Sequence, residues 1–203
     1  MPWAARSRPP APASLLQPEA QLSLLTAGGV ADPRADWSKA AKANLSRELE
    51  AQLKTRAHGL KLVDAETAEA GANGQLLRLH EAVGNSVLLF SYGPYKLPTK
   101  KEFDWTLGQG AQALAAEHQA DYAMFVQARG TYASGARIAT AVGLSLVGVA
   151  VPLGQQQVFA SLVHLKTGKV VWFNVAVAGP QADMREADGA ASLTASLLKD
   201  VPL

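Results

Sequence analysis

Two runs rich in β-branched and aromatic residues, QQVFASLVHL and KVVWFNVAVA, flank the tripeptide Lys166-Thr167-Gly168. A glycine-bearing turn between such runs sends the chain back on itself, so an antiparallel hairpin is fixed near the C-terminus. Gly179-Pro180 is expected to end it. The remaining question is what that hairpin joins.

Upstream, Gln21–Thr26 is short, apolar and followed by Ala-Gly-Gly, and reads as the first strand. Asp36 is placed as the N-cap of a helix in which Ala40, Ala41, Ala43, Leu45, Leu49 and Leu53 form one stripe, ended by Gly59. Leu60–Val63 makes a second strand. Leu76, Leu77, Leu79, Val83 and Val87 recur at helical spacing and predict a helix over 74–90, with Gly84 as a weak point. A loop punctuated by Gly93, Pro94 and Pro98 follows. Asp104 then reads as the cap of a third helix through Leu107, Ala111, Leu114 and Ala115. Ala120–Arg129 alternates as a strand, with Tyr122, Met124 and Val126 on one face and Ala123, Phe125 and Gln127 on the other. Ala187–Leu198 closes the chain as a helix with Leu193, Leu197 and Leu198 inward.

Strands separated by helices pair in parallel, and the late hairpin must be antiparallel. The expected fold class is α/β: a single domain with a mixed sheet and a C-terminal antiparallel hairpin, packed by helices. The domain is drawn over residues 21–203. Residues 1–20, rich in proline and alanine, are expected to be a disordered tail. No uninterrupted apolar run lies between Arg8 and Gln17, so no export signal is expected in the chain as given.

Composition narrows the chemistry. Of 203 residues, 48% are apolar, enough for a full core, and 18% are charged, fewer than the usual ~25%. A thinly charged surface is compatible with apolar contacts to a partner or a membrane. There are no cysteines, which excludes disulfides, thiolate zinc sites and a cysteine nucleophile. The net charge is +2, and the short basic cluster Lys96, Lys100 and Lys101 forms no stripe, so no nucleic-acid partner is expected.

No catalytic or cofactor constellation emerges. His58, His80, His118 and His164 never pair at ligand spacing and read as isolated surface or edge residues. His80-Glu81 opens like a helical zinc motif, but Gly84 stands where the second histidine is needed. Gly108-Gln109-Gly110-Ala111-Gln112-Ala113 fits a loose dinucleotide fingerprint but lacks a buried strand before it, and its glycines are read as allowing a helix to pack closely. Gly168-Lys169 fails as a phosphate loop because Val163 and Val170 occupy its required positions. Gly143-Leu144-Ser145 fails as a nucleophile elbow because Val147 replaces the closing glycine. Asp104 beside Trp105, and Glu117 beside His118, leave room for acid–base work only if buried together. No cofactor and no metal are expected.

Ile138–Leu153, IATAVGLSLVGVAVPL, carries no charge, and the next charged residue is Lys166. It is too short for a standard membrane helix, which needs about 20 residues. Three placements stay open: buried in the core, exposed as a patch that docks a partner or another copy, or inserted in a bilayer. If it is exposed, Leu146, Val147 and Val149 are the candidate contact residues.

The hairpin FASLVHLKTGKVVWFNVAV, with Trp172 at its centre, follows an ADYAMFVQARG strand and an opening strand–helix pair. Together they resemble the curli-secretion-channel (CsgG) and TolB-N-terminal-like group of bacterial envelope proteins. The element order is covered over residues 21–199, and the residue-level match lies in the ADY strand and the TGKVVW turn. The resemblance implies a small mixed α/β domain of the periplasm or the inner face of the outer membrane, lipoprotein-like. It would act as an assembly factor through protein–protein contact or self-association and not as an enzyme, with peripheral membrane association possible. The lipid-carrying cysteine of that group is absent here. The alternative is a small-molecule-binding or hydrolytic enzyme using carboxylates near Asp104. The small-molecule ligand is open.

Overall fold

The chain is organised around one strand, Tyr122–Ala133, which is buried along most of its twelve residues. Seven strands lie in one mixed sheet in the computed structural model, which describes residues 12–55, 60–64, 71–178 and 182–203. In chain order they are β1 (Ala13–Leu16), β2 (Glu19–Leu25), β3 (Ala31–Pro33), β4 (Lys61–Val63), β5 (Tyr122–Ala133), β6 (Gly154–His164) and β7 (Lys169–Ala178). The helices are α1 (Ala35–Lys54), α2 (Gly71–Val87), α3 (Ala111–His118), α4 (Gly135–Ser145) and α5 (Ala187–Leu197), with a π-helical turn at Leu88–Tyr92 after α2.

One edge of β5 is filled antiparallel by β6, from Tyr122↔His164 to Tyr132↔Gly154. The other edge is filled in parallel by β1 and β2 in succession. Those two strands act as one interrupted ribbon. Leu15 pairs Met124 and Glu19 pairs Gln127, so four residues on one side span three on the other. The interruption is at Gln17-Pro18, where proline has no N–H to give a ladder, and Gln17 N–H turns instead to Val63 O at 3.1 Å. β4 pairs β1 in parallel, and β3 pairs β2 antiparallel. The hairpin β6–β7 stands as expected, with a bulge at Leu162/Val163.

Alternation on β5 divides the core. Met124, Val126 and Ala128 face Leu45, Leu49 and Leu53 of α1 and Leu193 and Leu197 of α5. Ala123 and Phe125 face Leu76 and Val87 of α2 and Ala111 and Leu114 of α3, together with Phe159 and Phe173 of the hairpin. Helices thus cover both faces of a mixed α/β sheet in a single domain.

Four expectations are corrected. The tail boundary at residue 20 falls too late, because Ala13, Leu15 and Leu16 are buried strand residues. Pro12 and Pro18 hid that strand by punctuating it. Asp36 is not the cap of α1; the helix begins at Ala35, and Asp36 sits in its first turn, paired with Arg34 at 3.2 Å. Asp104 does not cap the third helix, which begins at Ala111. Residues 105–107 instead run along the hairpin turn, with Leu107 N–H donating to Gly168 O at 2.8 Å and Val170 N–H to Trp105 O at 2.9 Å. The helix predicted over 74–90 spans 71–87 and then widens into the π-turn. Residues 1–11 of the expected tail, Gly59 and Gly179-Pro180 lie outside the described residues.

Candidate functional site

The uncharged segment after β5 forms an arm. Ser134, extended at φ −67° and ψ 158°, caps α4 by accepting from Arg137 N–H at 3.1 Å. Arg137 is the one residue that α4 buries. Its guanidinium donates to Pro152 O at 2.8 Å and to Thr26 O at 3.4 Å, and so ties the outgoing helix to the returning segment before β6 and to the residue after β2. Charge-assisted bonds to backbone carbonyls are stronger than neutral ones, which makes the root of the arm firm. Ala133 N–H closes the root by donating to Leu153 O at 3.0 Å.

The tip is a tight turn. Leu144 O accepts from both Val147 N–H (3.1 Å) and Val149 N–H (3.0 Å), and Ser145 O accepts from Gly148 N–H (3.1 Å). Gly148 takes φ +81°, which a residue with a Cβ adopts only with strain. The hydroxyls of Thr140 and Ser145 bond back to Ala136 O and Val142 O. Side-chain polarity along the arm is therefore spent within it.

What remains outside is apolar. Leu146 is 84% exposed, Val147 74% and Val149 47%; Ile138, Val142, Leu144 and Leu153 are exposed too. A helix in a globular domain normally turns its apolar stripe inward. Here the buried residue is the arginine and the exposed ones are aliphatic. The placement of 138–153 in the core is overturned, and the three sequence-predicted contact residues share the tip. Among the described residues no helix is long and apolar enough to cross a membrane.

The other candidate chemistry disperses. Asp104 is exposed and meets Lys169 Nζ at 3.5 Å, whereas Trp105 is buried with its Nε1–H on Ser91 Oγ at 3.1 Å, so neighbours in sequence face apart. Glu117 accepts from Asn73 Nδ2–H at 2.9 Å and stands 4.0 Å from His118 Nε2. Gly108 serves the hairpin and not helix packing: a Cβ on Gly168 would fall 2.1 Å from Gly108 O. His80 is no surface residue. It is 3% exposed, shares a 2.6 Å hydrogen bond with Ser161 Oγ, and stacks 4.7 Å from the Phe125 ring. Burial pushes its pKa down to about 3, so the ring is neutral. Among the described residues no three His, Cys, Asp or Glu gather as a metal cage.

Sequence reading missed two features. One is a cation–aromatic box in which the Arg185 guanidinium lies 3.9 Å from the Tyr132 ring and 4.3 Å from the Trp37 ring. Asp183 holds that guanidinium at 2.6 Å. Partial burial raises the Asp183 carboxyl, but hydrogen bonds from Arg185 and Tyr132 outweigh it and hold the pKa below the usual range. The other is a groove of about 340 Å³ between the end of α2 and the sheet, lined by Leu88, Leu89 and Phe159 with Asn85, Arg129 and Gln157 at its sides. Both join residues too far apart in sequence for periodicity to connect them.

Fold and site together define a class: a small mixed α/β domain, helix-covered on both sheet faces, whose conspicuous free surface is an uncharged aliphatic arm. No family model matches the chain. No curated protein matches it. Among solved structures it is similar to the PelC dodecamer from Paraburkholderia phytofirmans, at 13% identity and a TM-score of 0.40, covering 98% of this chain and 92% of that one. It is also similar to the LpoB C-terminal domain from Salmonella enterica, at 13% identity and a TM-score of 0.32, with 82% of each chain covered. A third similar structure is the lipoprotein GNA1162 from Neisseria meningitidis, at 11% identity and a TM-score of 0.35, covering 85% and 84%. TM-scores this low carry no role from those proteins to this chain.

Proposed function

We propose that the chain is a non-enzymatic binding and assembly domain that works through protein–protein contact, with the α4 arm as its contact surface. The observation that supports this most is the exposure of Leu146 and Val147 on an arm whose root is held by Arg137. Aliphatic side chains presented this way, on a support that does not collapse inward, lose unfavourable water contact when a partner covers them. At roughly 25 cal/mol per Å² of apolar area, covering such a tip contributes several kcal/mol before association costs are met. The setting we propose is the bacterial envelope, on the ground of the ADY strand and TGKVVW turn, as a lipoprotein-like assembly factor on the periplasmic side.

The test is substitution at the tip. Leu146→Asp and Val149→Asp are expected to leave the circular dichroism spectrum and urea midpoint close to those of the parent, because both sites are exposed. They are expected to weaken association, read by sedimentation velocity. Unchanged association with an intact fold would remove the arm from the mechanism. The setting is tested separately by fractionating source cells and weighing the native protein: recovery in the cytosol would remove the envelope from the proposal and leave the arm in it.

A further inference from the structure

We infer that the arm of one copy seats in the α2–sheet groove of a second copy, so that the chain associates head to tail. This rests on the reading of the arm as a contact surface and adds what the arm meets. Both halves of the contact lie on one chain. The arm is convex and ends in Leu146 and Val147; the groove is concave and walled by Leu88, Leu89 and Phe159. The groove is open to solvent, and at about 340 Å³ it is larger than the ~150 Å³ that holds a benzene ring. Leu89, on the groove wall, is 44% exposed and Leu146 is 84% exposed, so the arm does not fill its own groove.

Charge fits as well. The arm brings no ionic group, since Arg137 is buried at its root and bonded to backbone carbonyls. The charged residue in the groove lining, Arg129, is held by Glu81 and by Gln21 Oε1 at 2.7 Å. Docking therefore leaves no ion of the arm or of the groove lining unpaired, and an unpaired buried ion is costly. Hydrogen bonding also matches. The N–H groups of Val147, Gly148 and Val149 are used inside the turn, whereas among the described residues no backbone N–H reaches the carbonyls of Leu146 or Val147. Asn85 and Gln157, beside the groove, carry amide donors for them.

Among the described residues, the sheet edges are short or partly covered, which leaves a second copy less to pair with there. The outer side of β7 is taken up by Trp105 and Leu107 at one end. Further along, the Tyr92 hydroxyl donates to Phe173 O at 2.8 Å, and Asn174 Oδ1 accepts from Val175 N–H at 2.9 Å. At the far side β3 and β4 have three residues each, and β3 contains Pro33. An arm that meets a different patch makes a heterologous contact, which closes into a ring or runs on as a filament.

Complementation tests this. The full chain is expected to sediment as species larger than a dimer. An arm variant, Leu146→Asp with Val147→Asp, and a groove variant, Leu89→Asp, are each expected to sediment as monomers with native circular dichroism. Asn85→Arg, at an exposed position beside the groove, serves as a second groove variant should Leu89→Asp unfold. An equimolar mixture of arm and groove variants keeps one intact arm and one intact groove, and is expected to give a 1:1 pair and nothing larger. A parent chain that stays monomeric at its highest soluble concentration overturns the inference. So does a folded groove variant that associates like the parent, or a mixture that gives no pair. If the arm variant alone loses association, head-to-tail seating fails while the arm remains the contact surface; if neither variant loses it, both readings fail.

Discussion

Gly84 lies in the middle of α2, where helix propensity alone favours alanine by about 1 kcal/mol. A Cβ there would stand 2.2 Å from Phe159 Cε2, and Phe159 is itself buried and stacked on Phe173 at 5.5 Å. The ring has nowhere to go, so overpacking, worth about 1–3 kcal/mol, is expected to win. Gly84→Ala should lower the urea midpoint, and Gly84→Ala with Phe159→Leu should recover part of the loss; an increase in the single variant contradicts this packing. His80 carries a second prediction. Its pKa is lowered by burial from 6.5 to about 3, so the unfolded chain takes up the proton first. The stability that neutral His80 provides is complete above pH 6.5 and is lost as pH falls toward 3. At about 1.4 kcal/mol per unit, lowering the pH from 7 to 5 costs about 2 kcal/mol. Replacing both partners, His80→Leu with Ser161→Ala, should flatten urea midpoints over that window. Asp183, held below the usual carboxylate range, acts in the same direction but in a lower window, below its ordinary value of 3.8.

Among the elements, β1 tests the fold most directly. It sits between β4 and β5, and Leu15 and Leu16 belong to opposite core clusters. A chain begun at Gln21, where the composition shift points, would lose a central parallel strand and both side chains. Each buried leucine is worth about 2–5 kcal/mol by truncation to alanine, which approaches the whole stability of a domain. Such a chain is expected to be insoluble or unfolded by circular dichroism, whereas one begun at Pro12 keeps every described contact of β1. Native-like folding from Gln21 would mean that β4 and β5 close without β1. The α4 arm is the reverse case, a helix whose folding buries little. Ser134 and Arg137 hold its two ends, so its stability comes from polar anchors and not from an apolar stripe.

At the scale of the molecule, the arm is an apolar projection without ion pairs. Among the described residues, ion pairs lie on α1, α2, α3, β2, β5, the 183–185 loop and the hairpin turn, while the arm has none. Contacts between exposed charges are screened with a Debye length of about 10 Å at 0.1 M salt, but burial of aliphatic surface is not. Association through the arm is therefore expected to hold its strength when sodium chloride is raised from about 0.05 to about 0.5 M, and to strengthen in sulfate. A steep fall with sodium chloride in sedimentation would move the interface to the charged faces.

Local physics was sufficient for much of this. Glycine in a turn between two β-branched runs fixes a hairpin wherever the rest goes; the four-residue spacing of Ala41, Leu45, Leu49 and Leu53 fixes a helix and its inner side; alternation on β5 fixes which residues share a face. Those signals repeat over a few residues, so the sequence carries them by itself, and with them came the mixed α/β class; the lack of charge over Ile138–Leu153 marked that segment, but not that Leu146, Val147 and Val149 form a tip. The exposure of that tip was not legible, because an aliphatic helix has the same pattern whether it is buried or projects, and only the neighbours on all sides decide. The burial of His80 depends on Ser161 and Phe125, the Arg185 box on Trp37, and the entry of Ala13–Leu16 into the sheet on Val63 and Met124. Each is a contact between residues distant in sequence, set by the closing of the sheet, and so only the tertiary structure could decide it.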